Sequence, residues 1–574
     1  MQRAPPTTPG SDPTERALAR TLGLPDLVAR VLIARGLGEP DNARAWMAPD
    51  LRHLADPFRF THMERAVARI RDALTRREPI LIHGDYDVDG VSGTVLLTKF
   101  LAAMHADVKA FVPARKDGYS FSDASFDAIE AGGIKLCISV DNGTNAVRVI
   151  ERIQQSGCDV IVTDHHGTSE DVAPAHTILN PRLPDAGYPD RDLAGVGVAF
   201  RLCCAVAESF TRGRKQSDEF ADLLLDALGY VALGTIADVA PLRGENRILV
   251  YHGLRALAAS RSPGIRALLD SAGLSHRSPD TDDVAFRIAP LINAAGRVGH
   301  AGEAVRLLMA EDSMVAQAAA KVLETHNVAR RKIERQLYDE LVPRARACND
   351  PVVVLGGDDW HPGVLGIVAA RLVDACGRPA VLVGFDGPRG RGSGRSCRGI
   401  DLRAILSSCS PLMNAYGGHA AAVGMEVERS RFDEFRRELV AAATRATPPA
   451  PTIAGADGVV HFSELDPRDV RKLDLLGPFG AGNRRPTFRS EGVRIVGHPI
   501  VDGRGSDLRF RLAQDGTMLP ARIRGGATRH EAVRALSGPL HVVHAPRVAS
   551  ASEEGPVELL VVDLCENAPS PSAP

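Results

Sequence analysis

Two α/β domains joined by a long helix and followed by a small β-barrel are the architecture this sequence predicts. Three observations predict it. Short apolar runs alternate with helix-like stretches, one uninterrupted charged segment lies mid-chain, and apolar and polar residues alternate near the C-terminus. At roughly 100–200 residues per domain, 574 residues hold three or four domains.

Residues 1 to about 15 are polar and proline-rich and, like 566–574, read as disordered. The rest of an N-terminal region, 1–75, has a helical pattern. A first α/β domain, 76–310, follows. Its apolar runs are PILIHGDYDVDG (79–90), IKLCISVDNG (134–143), DVIVTDHHG (159–167) and YVALGTIADVAPL (230–242). Continuous apolar runs between helices predict strands of a buried parallel sheet. Residues 311–346 lack Gly, and lack Pro until Pro343, so they read as one connecting helix, a strut between domains. Strand and helix texture resumes over 347–443, in PVVVLGG, WHPGVLGIVAARLVDA and RPAVLVGF. TRATPPAPTIAG (444–455) is a linker. The stretches VRIVGHPIV, LRFRLAQ, LHVVHAPRV and VELLVVDL within 456–565 predict the barrel.

The bulk numbers exclude several classes. A formal net charge of -2 rules out a globally basic nucleic-acid binder and leaves local basic patches to do that work. Nine cysteines without a CxxC pair argue against a disulfide framework and a cysteine zinc site. Free thiols in a reducing cytoplasm are expected. The N-terminus has no apolar segment of signal-peptide type, and no run of about 18 apolar residues predicts a membrane span.

Each apolar run of the first domain ends in Asp or His. In a parallel sheet those ends share one edge, where ligands bind. His83, Asp85, Asp87, Asp89, Asp141, Asp164, His165, His166 and Asp238 are therefore expected to converge. A single Asp after a strand is more simply a helix cap or turn residue. Four such segments in series, one of them Asp-His-His, shift the balance toward a site. Gathered carboxylates repel one another, and divalent cations relieve that repulsion. Two cations bridged by a carboxylate suit attack of water on a phosphoester. Mixed carboxylate and imidazole donors accept Mn2+ well, with Mg2+ as substitute.

The second domain carries PRGRGSGRSCRG, with Arg389, Arg391, Arg395 and Arg398 among glycines, and GGHA, with Gly417, Gly418 and His419. Glycines admit backbone amides to an anion and Arg binds phosphate in a bidentate way, so the stretch reads as a phosphate cradle or as a solvated loop. Trp360 and His361 contact a base or pack a helix start. In the barrel Arg484 and Arg485 are candidate strand contacts, whereas Phe488 fits the core better.

HGDYDVDG, SVDNGT, TDHHG and GTIADVAPL resemble the successive motifs of the DHH phosphoesterase family. FRIAPLINAAGRVGHA, WHPGVLGIVAARL, GSGRS, YGGHAAAVGM and LGPFGAGNRRPTF are similar to segments of its single-strand-specific exonucleases, and the resemblance covers about residues 20–565. Val88 and Ser120 depart from the family's commoner Ala and Gly, and neither change removes a ligand. The resemblance implies a DHH domain, a DHH-associated domain and an oligonucleotide-binding (OB) barrel. It implies one cation on His83, Asp87 and Asp141, and a second on Asp89, Asp141, His165 and Asp238. His166, Asp141 and Asp87 would be catalytic, His166 serving the leaving 3′ oxygen, and Asp164 would orient a histidine. Arg297, Asn293, Arg391, Ser393, Arg395, Gly417, Gly418 and His419 would bind substrate. The implied activity is 5′-to-3′ hydrolysis of single-stranded DNA to 5′-mononucleotides, in recombination and repair. A cleft between the two α/β domains would admit one strand and no duplex, with the barrel holding the strand behind it. Single-strand-binding protein and a RecQ-type helicase are the implied partners of a cytoplasmic monomer. A phosphoesterase for pyrophosphate, short RNA or cyclic dinucleotides is the alternative enzyme, and an inert nucleic-acid-binding scaffold is the alternative without chemistry.

Overall fold

The computed structural model describes residues 12–115, 120–168, 171–211, 218–397, 399–446, 455–503, 507–548 and 556–566. The first eleven residues, most of the expected linker, Arg398 and the tail from 567 lie outside them. The chain forms two compact units, 54–449 and 1–53 together with 450–574.

The larger unit is built on two sheets. The first contains β1 (Ile80–Gly84), β2 (Val108–Phe111), β3 (Leu136–Val140), β4 (Asp159–Thr163) and β5 (Thr177–Leu179). Their order is β2-β1-β3-β4-β5, and every pair is parallel. Helices cover both faces, so β1 and β3 are buried along their whole length, which is why they appear as unbroken apolar runs. The strand order reverses between β1 and β3. At such a point two crossovers diverge and open a crevice at the C-terminal strand ends.

The fourth apolar run corrects the expectation. Residues 230–237 are the end of a 20-residue helix, Asp218–Ala237, so Asp238 approaches the crevice from a helix terminus. A short buried apolar run fits strand or helix equally, and only the length of its element decides. Within this helix Phe220–Ala237, with mean hydropathy 1.5, is long and apolar enough to cross a membrane by length and composition alone, although Asp222 and Asp226 interrupt its apolar run. The window is 61% buried, and the helix packs on Val88–Ala103, Gly195–Thr211 and Gly244–Ala259 as a core element.

The second sheet holds β6 (Val353–Asp358), β7 (Ala380–Asp386), β8 (Arg389–Arg395), β9 (Ala415–His419) and β10 (Ala422–Glu428), in the order β6-β7-β8-β10-β9. Only β6 and β7 are parallel. The Arg-Gly stretch, read from the sequence as a phosphate cradle or a solvated loop, is strand β8. Its glycines answer to packing. A Cβ on Gly390 would lie 2.5 Å from Phe385, on Gly392 2.4 Å from Met425, and on Gly394 2.7 Å from Val423. With a strand's two-residue alternation, Arg389, Arg391, Ser393 and Arg395 share the opposite face. The connecting helix is Ser313–Ala347, capped by Asp312, whose carboxylate accepts from Met314 N and Val315 N. It buries a stripe from Ala316 to Ala345 and packs against both Ala289–Val298 and Pro362–Cys376.

In the smaller unit β11 (Gly458–Val459), β12 (Phe488–Val501), β13 (Leu508–Gln514), β14 (Thr517–Ile523), β15 (Leu540–Val548) and β16 (Val557–Cys565) form one sheet. β12 also pairs with β15, which closes five strands into a barrel of OB type. Three helices, Pro13–Leu22, Asp26–Ala34 and Pro40–Met47, belong to this unit. Val28, Val31 and Leu32 are fully buried in one core with Phe462, Phe488 and Leu508. Arg30, itself buried, bonds to Glu15, to Val459 O and to Glu464, and Arg35 bonds to Asp457 and Asn483. The segment 1–75 therefore divides, since Met63–Arg76 packs in the larger unit. Its first helix starts at Pro13, inside the stretch expected to be disordered, because Asp12 caps it.

Candidate metal centre and anion pocket

The loop after β1 delivers three carboxylates. Asp87 caps the helix Val88–Ala103, with Oδ1 accepting from Asp89 N at 2.9 Å and Gly90 N at 3.2 Å. Asp89 points the other way, and both of its oxygens accept from the first amides of the helix Gly195–Thr211, Gly195 N at 2.8 Å and Val196 N at 2.9 Å. A helix N-terminus is a favourable seat for a carboxylate. Asp141, just past β3, adopts a left-handed backbone, φ 63°, which Asp tolerates better than most residues. Gly195 lies against it, and a Cβ there would be 2.7 Å from that of Asp141.

Three groups of donors each lie within 4.8 Å: Asp85, Asp87 and Asp141; Asp89, His165 and Asp238; Asp141, His165 and His166. His165 Nε2 lies 3.0 Å from Asp141 Oδ1, 3.6 Å from Asp238 Oδ2 and 3.8 Å from Asp89 Oδ2. Donors around one cation at about 2.1 Å stand about 3 Å apart, so these spacings suit a shared ion. The electrostatics agree. Burial first, and then the charges of Asp87, Asp89 and Asp238, push the carboxyls of Asp85, Asp89 and Asp141 well above their usual range. Burial and Asp87 push Asp238 up to about 7. Burial, then His166, brings His165 down to about 3, so it is neutral and able to ligate. Asp85 Oδ1 and His165 Nδ1 are buried without a hydrogen-bond partner. Such a pocket holds its acids apart from their protons only when positive charge enters, and divalent cations fit it.

Asp164 faces away from this crowding. It accepts from His165 N, His166 N, His166 Nδ1 at 2.8 Å and Thr144 N. Burial opposes its ionisation, but these bonds and the His166 charge hold its carboxyl well below the usual range. In turn Asp164 outweighs burial at His166 and raises that imidazole. The pair fixes the His166 ring through Nδ1, 2.8 Å from Asp164 Oδ1.

His83, expected in the first donor set, is not among the three donor groups, although its Nδ1 is buried without a hydrogen-bond partner. It stands within β1, its Nε2 bonds to Ser125 Oγ at 2.9 Å, and its ring stacks on Phe121. Asp85 joins Asp87 and Asp141 in its stead.

Beside Asp87 lies a cationic pocket. Arg297, on the helix Ala289–Val298, donates to Gly363 O at 2.8 Å. Arg115 donates to Gly296 O and lies over the Tyr86 ring. Arg395 donates to Ser393 Oγ at 3.1 Å and abuts Gly366. Burial, and then Arg115, Arg330 and Arg395, bring Arg297 down to about 10, a mark of guanidiniums crowded without enough negative charge. Asn293 sits one turn before Arg297, and Arg391 is on the same face of β8 as Ser393 and Arg395. His419, on edge strand β9, is exposed, and its imidazole is lowered by burial and then by the charges of His166 and Arg182. Gly418 has φ 120° and no room for a Cβ beside Ala422 O, while Gly417 has open space. Trp360 lies against Gly357 and Gly384, and His361 caps the helix Pro362–Cys376, so both are packing residues.

The barrel candidates are engaged internally. Phe488 is fully buried, Arg484 pairs with Asp457, and Arg485 pairs with Asp474 and lies over Phe479. Arg509 and Arg511 are exposed on one face of β13. Sequence reading missed these two, Arg115 and Gly195. Only the strict alternation LRFRLAQ carried a signal, for the barrel pair.

Comparisons with known proteins bear on the same residues. Family models match as the DHH family N-terminal domain at 79–230, the DHHA1 domain at 349–445 and the RecJ OB domain at 456–563. The single-stranded-DNA-specific exonuclease RecJ of Thermus thermophilus is 36% identical over 512 residues, 87% of this chain and 72% of that protein. The Escherichia coli RecJ is 31% identical, with 86% and 88% covered. The Bacillus subtilis RecJ is 34% identical over 88% of this chain, which spans 63% of that relative's length. The crystal structure of Thermus thermophilus RecJ with Mn2+ superposes with a TM-score of 0.82 at 31% identity, covering 99% of this chain and 80% of that one. A second structure of that protein, with Mg2+, gives a TM-score of 0.76.

Proposed function

This chain belongs to the RecJ branch of the DHH family, and from that premise we propose that it is a single-stranded-DNA-specific exonuclease serving recombination and repair. It hydrolyses phosphodiesters from the 5′ end and releases 5′-mononucleotides. The observation that carries this reading is a pair of donor groups joined through Asp141, set beside a pocket of crowded guanidiniums.

Mn2+, or Mg2+ in its place, is the cofactor, two ions per site. Asp85, Asp87 and Asp141 would hold one ion, and Asp89, Asp141, His165 and Asp238 the other. When bound, such ions activate water near neutral pH and offset charge on the phosphoryl oxygens. The chain's own residues do the rest. Asp89 is locked by the helix amides at Gly195 and Val196, and this fixes where the second ion would sit. Asp164 fixes the His166 ring, so Nε2 can give a proton or hydrogen bond to the departing 3′ oxygen. Arg115, Arg297, Arg395 and Ser393 receive the terminal 5′ phosphate. Arg297 is half-buried, and its guanidinium can meet such a phosphate in a bidentate way. Asn293, Arg391, Gly417, Gly418 and His419 line the strand's approach.

The protein works as a cytoplasmic monomer, in keeping with nine free cysteines, and meets single-strand-binding protein and a RecQ-type helicase during repair. The test is digestion of 5′- and 3′-labelled single strands and matching duplexes with Mn2+. Mononucleotides released from the 5′ label of single strands alone is the expected pattern. Equal attack on duplexes, or release from the 3′ end, would overturn the proposal.

A further inference from the structure

The helix Asp218–Ala237 ends in a reverse turn that presents Asp238 to the donor cluster. Val239 N donates to Ile236 O at 3.2 Å, and Ala240 N donates to Thr235 O at 3.2 Å. The second bond closes the six-residue ring of a left-handed helix cap. The residue in the left-handed position is Val239, with φ 60°. Glycine takes that position freely and asparagine tolerates it, whereas a β-branched side chain is the least suited of all. The fold gains little from the side chain in return, since Val239 is 68% exposed. A strained backbone therefore holds an apolar group in solvent, one residue away from a carboxylate of the reacting centre.

On the single-strand reading above, we infer that Val239 contacts the substrate, its isopropyl group packing on the sugar and base of the nucleotide beside the scissile phosphate. The inference rests on that reading and adds to it. Consecutive Cα atoms are about 3.8 Å apart, so a phosphate drawn to the cation that Asp238 would help hold brings its own nucleotide within reach of Val239. A bare phosphate or pyrophosphate has no apolar face to offer an isopropyl group. A nucleotide has two, the C–H face of the deoxyribose and the plane of the base, and covering Val239 with either removes apolar surface from water.

Two substitutions separate contact from backbone. Val239→Thr keeps the branching, the volume and the backbone restriction but replaces one methyl by a hydroxyl. Val239→Gly removes the side chain and relieves the left-handed strain. The assay is steady-state digestion of a 5′-phosphorylated single strand with Mn2+, alongside thermal melting and Mn2+ titration of the same proteins. V239G is expected to raise KM about tenfold, the scale of one covered isopropyl group, and V239T about threefold or more, with kcat within about twofold for both. V239G should melt no lower than the parent, and V239I should restore the parental KM. A parental KM in V239T would overturn the inference, as would joint loss of kcat and Mn2+ affinity in V239G, which would mean that Val239 acts by placing Asp238. If the parent itself leaves single strands uncut, the exonuclease reading fails first and takes this contact with it.

Discussion

At the scale of single residues, Asp141 is the position on which two donor groups depend. Replacing it by Ala should reduce strand digestion at least about 1000-fold, the several kcal/mol that cation-assisted chemistry supplies. A loss under tenfold, measured with saturating Mn2+, would remove Asp141 from the mechanism. Protons and cations compete for the same oxygens. Asp238 rises from its ordinary 3.8 to about 7, and its neighbours rise with it. Between these values the metal-free folded state binds more protons than the unfolded state, so its stability falls as pH climbs toward 7. Cation binding displaces those protons and strengthens over the same interval. The rise in Tm on adding Mn2+ should therefore be larger near pH 8 than near pH 6, and calorimetry near pH 6 should record more protons released. A Tm increment independent of pH would contradict this assignment. Much of the cluster was legible in the sequence, because Asp and His at the ends of apolar runs obey a rule of parallel sheets. The grouping of Asp85 with Asp87 and Asp141 was not, because three alternating carboxylates in one loop look alike until the loop's path is known.

At the scale of elements, glycines decide how close two layers come. Gly195 begins a helix whose amides hold Asp89, and a Cβ on it would stand 2.7 Å from that of Asp141. Gly195→Ala should weaken Mn2+ binding about tenfold or more through a shift of Asp141, with far-ultraviolet circular dichroism unchanged; parental Mn2+ affinity would show that the helix start yields freely. Gly394 in β8 faces Val423 and Leu402, and Gly394→Ala should lower stability by about 1–3 kcal/mol, the usual result of overpacking, read as a fall of a few degrees in Tm. The sequence suggested that these glycines serve an anion. Their true task follows from strand alternation, and it stayed hidden because arginine and glycine together also read as loop. The same ambiguity turned the helix ending at Ala237 into an expected strand, since periodicity is silent when every face of an element is buried. Parallel strands β1, β3 and β4, the connecting helix and the barrel's alternation were each legible, because each has one local period.

At the scale of the whole molecule, the smaller unit is assembled from both ends of the chain. A deletion of 450–574 alone would strip cover from Val28, Val31 and Leu32 and leave Arg30 beside Glu15 without Glu464. That truncated protein should aggregate or lose residues 13–53 to protease within minutes, whereas the fragment 54–449 should stay folded and bind Mn2+. Equal protease resistance of the two would show that the N-terminal helices stand without the barrel. The net charge of -2 makes strand binding a matter of local arginines, so affinity should fall steeply between about 50 and 200 mM salt. No window of sequence reports this pairing of ends, because its partners are some 400 residues apart and neither half is marked by its own pattern. On the ribosome the same arrangement sets a schedule. The first three helices emerge at the outset, yet the strands that cover them follow about 400 residues later, roughly 20–80 s at ordinary rates of translation. For that interval the nascent chain carries an apolar surface awaiting its mate, while the larger unit between them is free to fold first.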